Sequence, residues 1–178
     1  MGEETSLPRP DHCGEQKGAI DMAGSWSRRD TIWTDGSRLE CGKMGAACIW
    51  KTAGGWDGLC FHLEDNREVF DAEVYAISQV LEVLDRRQES GRRYTIFVDS
   101  TSAIDRARSD SIGPGQSFAI AAIEWCSRAI ARSNEATARW DPAHHGTMGN
   151  EKADEFVGAA AQTAQSQMSC GGRLVYPT

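Results

Sequence analysis

The sequence lacks any long hydrophobic run. Its apolar stretches are only a few residues long, whereas a membrane-spanning helix needs about 20 consecutive apolar residues. Residues 1–30 are polar and contain glycine and proline, which does not match the hydrophobic core of a secretory signal. We therefore expect an intracellular protein, nuclear or cytoplasmic, that has no membrane partner.

Closely spaced cysteine pairs are also absent. Structural zinc is usually bound by such pairs, so their absence disfavours a zinc site. Because no secretory signal is evident, buried reduced thiols are favoured over disulfides. The six cysteines are Cys13, Cys41, Cys48, Cys60, Cys126 and Cys170.

Positive charge is in short supply. The chain has 19 Lys and Arg against 26 Asp and Glu, which gives a formal net charge of -7. Affinity for nucleic acid comes largely from Lys and Arg contacts to phosphates, so this balance counts against a nucleic-acid-binding protein. Bound cations at carboxylates would remove part of the excess. Clustered arginines also permit local basic patches; the clusters are Arg28 and Arg29, Arg86 and Arg87, Arg92 and Arg93, and Arg106 and Arg108.

The length and composition suit one globular domain with less regular ends. The chain has 178 residues, of which 40% are hydrophobic. Residues 1–30 have no sustained period, and we expect them to form a disordered leader or linker. Residues 31–164 carry strand and helix patterns, whereas 165–178 form a polar tail with one small apolar patch.

The order of the patterns indicates an α/β fold. Three strand-like segments joined by short turns predict an antiparallel meander, and alternating helices and strands follow. We predict a five-stranded mixed sheet in the order βββαβαβα, flanked by helices. The predicted strands are Thr31–Ser37, Gly45–Lys51, Trp56–Leu63, Tyr94–Val98 and Ala136–Trp140; the predicted helices are Glu68–Glu89, a short one after Asp99, Gln116–Arg132, and one capped by Asn150 that ends near Ala164.

Two aspartates come directly after β-prone runs. Asp35 follows the run Thr31–Thr34, inside the predicted strand Thr31–Ser37, and Asp99 follows the predicted strand that ends at Val98. Taken singly, an aspartate before glycine or serine is common in Asx turns, and that interpretation stays open. The alternative is that both carboxylates lie at one edge of the sheet.

Two further acids lie on predicted apolar helix faces. Glu73 shares a helical stripe with Ile77 and Val80, and Asp154 shares one with Val157. An ionised carboxylate that is buried without a partner costs several kcal/mol. No matching buried lysine is evident. If the four carboxylates lie together, they repel one another, and a multivalent cation is needed to relieve that repulsion. All-oxygen ligands select hard ions, which implies magnesium or manganese.

Four motifs follow one another in this part of the chain. They are Thr34-Asp35-Gly36-Ser37; Asp71-Ala72-Glu73-Val74-Tyr75-Ala76-Ile77; Phe97-Val98-Asp99-Ser100; and Trp140-Asp141-Pro142-Ala143-His144-His145-Gly146, followed by Gly149-Asn150-Glu151-Lys152-Ala153-Asp154. Each motif alone is weak, but all of them in this order are highly specific. Over about Thr31 to Ala164 the chain resembles the ribonuclease H domains, especially those within non-LTR retrotransposon polyproteins.

The resemblance implies a role for particular residues. Asp35, Glu73, Asp99 and Asp154 match the family's metal-binding carboxylates, which would hold two Mg²⁺ ions, with Mn²⁺ as the alternative. His144 matches a histidine that assists proton transfer or product release, although the adjacent His145 makes the choice ambiguous. Gly146 and Gly149 would leave the histidine loop free to move. Gly36, Ser37 and Ser100 would contact the substrate near the RNA 2′-hydroxyls or the nucleic-acid backbone.

The resemblance also implies a function and partners. The expected activity is endonucleolytic hydrolysis of the RNA strand of an RNA–DNA hybrid, and a reverse transcriptase domain in a longer parent polyprotein is an expected partner. Two alternatives stay open: a non-catalytic nucleic-acid-binding module with this fold, and a metal nuclease that acts on DNA or structured RNA. Asp141 and Ala143 depart from the usual motif, where an apolar residue and a glycine stand.

Overall fold

The computed structural model describes residues 30–38, 42–63, 68–142, 146–166 and 174–175. The predicted leader, apart from Asp30, and most of the predicted tail lie outside these residues. The strands are β1 (Thr31–Arg38), β2 (Met44–Thr52), β3 (Gly55–Leu63), β4 (Arg93–Val98), β5 (Glu135–Trp140) and β6 (Leu174–Val175). The helices are α1 (Val69–Arg86), α2 (Thr101–Ala107), α3 (Gln116–Ala131) and α4 (Met148–Ser166).

The strands form one mixed sheet in the order β5-β4-β1-β2-β3-β6. β1, β2 and β3 are antiparallel, as the meander predicted, whereas β1, β4 and β5 run parallel. The predicted five-stranded mixed sheet is therefore confirmed. β6 adds a sixth strand at the outer edge of β3, within the segment that was predicted to be only a tail. A strand of two residues is too short to show an alternating pattern in the sequence.

Alternate residues along the strands supply two cores, one on each face of the sheet. Ile32 and Cys48 pack with buried side chains of α1 and α3 on one face. Trp33 and Ala47 face the opposite way and belong to clusters that contain buried side chains of α4. Asp35 has the same parity as Trp33, so its side chain lies on the α4 face.

The start of α4 differs from the prediction. Asn150 was predicted to cap this helix, but the helix begins at Met148 and Asn150 is a buried residue of its first turn. The Thr147 carbonyl accepts the first helical hydrogen bond, from the N–H of Glu151 (3.1 Å). Gly149 was predicted to belong to a free loop, and this was wrong because it is buried in the helix. A Cβ at Gly149 would lie only 2.1 Å from the indole of Trp33, so only glycine fits there.

The described cysteines bear out the prediction of buried reduced thiols. Cys48, Cys60 and Cys126 are buried and form no disulfide, and burial raises the pKa of the Cys60 thiol to about 12. The remaining cysteines lie outside the described residues. Among the residues that the structure describes, no helix is long and apolar enough to cross a membrane.

Candidate active site

The parallel strands bring two of the predicted acids to one edge of the sheet. Thr34 pairs with Val98 at the end of the β1–β4 ladder, so Asp35 and Asp99 are the next residues on neighbouring parallel strands. The hydroxyl of Thr34 donates to the Phe97 carbonyl (3.2 Å) and holds the two strand ends together. The interpretation of these acids as members of one sheet edge is therefore correct.

Glu73 reaches this edge because α1 passes directly over Gly36. A Cβ on Gly36 would lie 2.5 Å from the backbone nitrogen of Glu73 and 2.6 Å from the carbonyl carbon of Ala72. The absence of a side chain thus allows the helix backbone to touch β1 immediately after Asp35. The predicted stripe of α1 is also confirmed, since Ile77 and Val80 are buried and Glu73 lies half-buried at its outer end.

Backbone and side-chain hydrogen bonds fix the segment around Asp99. The indole N–H of Trp140 donates to the Asp99 carbonyl (3.1 Å). The next residue, Ser100, caps α2 by accepting from the N–H of Ala103 (3.2 Å), and its hydroxyl also hydrogen-bonds Glu73. Ser100 therefore connects two acids of the site, whereas its predicted contact with substrate stays a prediction.

Asp154 does not lie on the buried face of α4 as its stripe predicted. Ala153 and Val157 are the buried residues, and Asp154 is exposed beside them. The buried position is occupied by Ala153 instead of Asp154, because the short side chain of Ala153 allows close packing against Trp33 and Phe97. Asp154 nevertheless lies close enough to Asp35 for its charge to raise the pKa of that residue.

The acids repel one another in a poorly solvated environment. Burial raises the pKa of Asp35 from its ordinary value of 3.8 to about 7, with further increases from the charges of Asp99, Asp154 and Glu73. Burial likewise raises the pKa of Glu73 from 4.5 to about 7; the hydrogen bond from Ser100 lowers it, and the charge of Asp99 raises it. All four predicted carboxylates therefore belong to one electrostatic site.

These raised pKa values predict an unusual dependence of stability on pH. Between about pH 4 and pH 7 the folded protein holds protons on Asp35 and Glu73 that the unfolded chain has released, so rising pH favours unfolding. For Asp35 alone, a pKa raised from 3.8 to about 7 corresponds to a loss on the order of 4 kcal/mol. Urea unfolding midpoints in chelator should fall from pH 5 to pH 8, and the fall should be shallower in Asp35→Asn. A midpoint that rises over this range would contradict the expectation.

The chemistry of the site fits a divalent cation. Oδ2 of Asp35 is buried and has no hydrogen-bond partner, and the surrounding donors are carboxylate oxygens, which hard cations prefer. Within the described ranges, no group of three or more acidic, histidine or cysteine side chains is drawn together closely enough to enclose an ion. The donors thus match such a cation in kind.

The other predicted site residues have different outcomes. Gly36 is buried beneath α1, so its position is explained by packing, and Ser37 is half-buried at the end of β1. Their contacts with substrate stay predictions. His144 and His145 lie outside the described residues.

One acid of this edge was not included among the predicted site residues. Val98 pairs with Trp140, so Asp141 is the residue beside Asp99 at the end of β5. Asp141 is 1% exposed. An aspartate directly after a β-prone run is the same signal that singled out Asp35 and Asp99, and it could have been used here as well.

These features define an α/β domain whose mixed sheet gathers acidic side chains at the carboxyl ends of its parallel strands. The sequence profile of the RNase H family matches residues 27–162. Because the match covers well over half of the chain, the protein belongs to the RNase H family. At the level of the family, this supports a nuclease that acts on RNA–DNA hybrids, and members of the family generally use divalent metal ions. A comparison with curated proteins gives no significant match.

Proposed function

We propose that the protein is an endoribonuclease that hydrolyses the RNA strand of RNA–DNA hybrids with the help of divalent metal ions. The observation that best supports this is the raised pKa of Asp35, which is caused first by burial and then by the charges of Asp99, Asp154 and Glu73. A group of acids that destabilise one another has no evident structural benefit. It is explained if a cation neutralises them during function.

In this proposal Asp35, Glu73, Asp99 and Asp154 hold two Mg²⁺ ions, or Mn²⁺. Ions bound by these carboxylates would supply the Lewis-acid chemistry that phosphodiester hydrolysis needs. The hydrogen bond with Ser100 lowers the pKa of Glu73 and so favours its charged form, which a cation needs. His144 serves as the proton-transfer or product-release residue, and Gly36, Ser37 and Ser100 lie along the path of the substrate.

The deciding experiment uses a labelled RNA–DNA hybrid beside duplex RNA and duplex DNA of the same sequence. Each is incubated with the full chain in magnesium, in manganese and in chelator. We expect metal-dependent cleavage of the hybrid's RNA strand alone. Cleavage of duplex DNA or duplex RNA with equal rate would instead identify a metal nuclease of different substrate class.

The charge balance favours one alternative, a non-catalytic module that binds nucleic acid within a larger assembly. A net charge of -7 provides little attraction for phosphates. The motifs resemble those of RNase H domains within retrotransposon polyproteins. In our proposal, a reverse transcriptase domain in such a longer polyprotein supplies the missing positive charge. Hybrid binding without any cleavage, in either metal, would support the non-catalytic module and overturn the enzyme.

Magnesium should stabilise the folded protein. Neutralising the acids removes the repulsion that raises the pKa of Asp35, and a ligand at about 100 times its Kd adds roughly 2.7 kcal/mol. In a domain of this size that corresponds to a rise in Tm of about 5 to 10 °C. The rise should be larger at pH 8 than at pH 6, because protons compete for the same carboxylates.

The matched control for this measurement is the double variant Asp35→Asn/Asp99→Asn. Its Tm should respond weakly to magnesium, because two of the proposed ligands have lost their charge. An equal rise in the wild type and the double variant would show that magnesium acts elsewhere on the protein.

A further inference from the structure

Asp141 is a buried acid whose surroundings differ from those of the proposed metal ligands. Its side chain accepts a hydrogen bond from the hydroxyl of Thr147 (3.0 Å). Both residues are almost fully buried, with exposed fractions of 1% for Asp141 and 6% for Thr147. A buried hydrogen bond to a carboxylate is strong and directional, so it fixes the relative positions of the two residues.

Asp141 is attached to the strand that carries Asp99. The N–H of Asp141 donates to the carbonyl of Val98 (2.9 Å), which extends the β4–β5 ladder to the residue directly before Asp99. The indole of Trp140, the neighbour of Asp141, holds the Asp99 carbonyl. The end of β5 therefore holds the backbone carbonyls of both Val98 and Asp99.

Thr147 is attached to the helix that carries Asp154. Its carbonyl accepts from the N–H of Glu151 (3.1 Å) and so begins the hydrogen-bonding pattern of α4. Asp154 lies two turns further along the same helix. A displacement of Thr147 would therefore be transmitted to Asp154 by the rigid helix.

We propose that Asp141 is a positioning residue: through Thr147 it sets the start of α4, and hence Asp154, relative to the end of β4, and hence Asp99. This inference rests on the proposed function, in which both acids hold metal ions. Asp141 acts as a hydrogen-bond acceptor, and its charge is not required. The pair of Asp141 and Thr147 is thus the polar contact that joins the end of β5 to the start of α4.

The test compares three single variants and one double variant in hybrid cleavage. Asp141→Val removes the acceptor, Thr147→Val removes the donor, and Asp141→Asn keeps an acceptor oxygen in nearly the same volume. We expect each Val variant to lower kcat at least about tenfold with little change in KM, because displacement of a site residue by about 1 Å is costly. The double Val variant should be no slower than either single variant, and Asp141→Asn should retain most of the wild-type kcat.

Asn134→Ala is the matched control for a general loss of stability. Asn134 is a buried polar residue at the opposite end of β5, where it accepts from the N–H of Arg92 (2.9 Å) and donates to the carbonyl of Glu89 (2.9 Å). The Asn134→Ala substitution should lower Tm but leave kcat unchanged. Wild-type kcat in Asp141→Val, or no rescue by Asp141→Asn, would overturn the proposal.

Hydrogen exchange separates this inference from the proposed function, because it needs no cleavage. The amide of Glu151 should exchange faster in Thr147→Val and Asp141→Val than in the wild type, Asp141→Asn and Asn134→Ala. If the wild type cleaves no hybrid, the proposed function fails, and this exchange pattern then decides whether Asp141 positions α4. Unchanged exchange at Glu151 in both Val variants would overturn the positioning role.

Discussion

Asp35→Asn should abolish cleavage of the hybrid, with a loss of at least about three orders of magnitude. Stabilisation of transition-state charge by metal ions is worth several kcal/mol, and each 1.4 kcal/mol is about a factor of ten in rate. Asparagine keeps the size of the side chain but removes the charge that would hold a cation. Asp99→Asn should have a comparable effect, because Asp99 lies at the adjacent strand end and contributes to the raised pKa of Asp35.

The same Asp35 substitution should make the folded protein more stable. At pH 8 in chelator, Asp35→Asn removes a buried charge that three other acids repel, so Tm should rise by about 2 to 4 °C for each kcal/mol recovered. A protein that is inactive and yet more stable has lost function without losing its fold. Asp110→Asn, an exposed aspartate before α3, is the matched control and should change neither property. Retained cleavage in both Asp35→Asn and Asp99→Asn would contradict the metal-site assignment.

Strand and helix order could be predicted from the sequence because each element has a clear periodic pattern. The runs before Asp35 and Asp99 are both β-prone, although β1 continues past Asp35 to Arg38, and the apolar stripe of α1 includes Glu73. Strand ends that carry acids also predicted their convergence, since parallel neighbours end at the same edge of a sheet. These inferences depend on local pattern, and the structure agrees with them.

Features that depend on close packing could not be predicted in this way. Periodicity placed Asp154 on the buried face of α4, but the burial of Ala153 is decided by the shape of the Trp33 and Phe97 rings beneath it. Asn150 has the sequence of a helix cap, yet the helix begins two residues earlier, at Met148. The pairing of Asp141 with Thr147 is a tertiary contact between two residues that are each common in turns.

Two glycines illustrate why packing determines the site. A glycine in a motif can indicate a flexible backbone or a close approach, and the sequence does not distinguish these possibilities. In the structure Gly36 allows the backbone of α1 to touch β1. Gly149 allows the first turn of α4 to lie flat on Trp33. The helices that carry Glu73 and Asp154 can thus each pack closely against the sheet because a glycine lies at the contact.

Gly149→Ala should therefore damage both stability and activity. The added Cβ would overlap the indole of Trp33, with 2.1 Å to its nearest atom. That ring cannot easily move, since it is 3% exposed, stacks on Phe97 at 5.6 Å and meets the edge of Trp56 at 5.4 Å. The first turn of α4 must lift instead. Overpacking of this kind typically costs about 1 to 3 kcal/mol, and displacement of Asp154 should lower kcat by about 100-fold.

The same helix offers a matched control for this substitution. Gly158 also lies in α4, and a Cβ there would meet nothing within 4 Å. Gly158→Ala should therefore stabilise the protein by up to about 1 kcal/mol, through the higher helix propensity of alanine, with unchanged kcat. In urea unfolding, Gly149→Ala should be less stable than the wild type, whereas Gly158→Ala should be more stable. In hybrid cleavage, kcat should fall in Gly149→Ala and stay unchanged in Gly158→Ala. Equal stability and equal kcat in both variants would mean that the contact between α4 and Trp33 does not position Asp154.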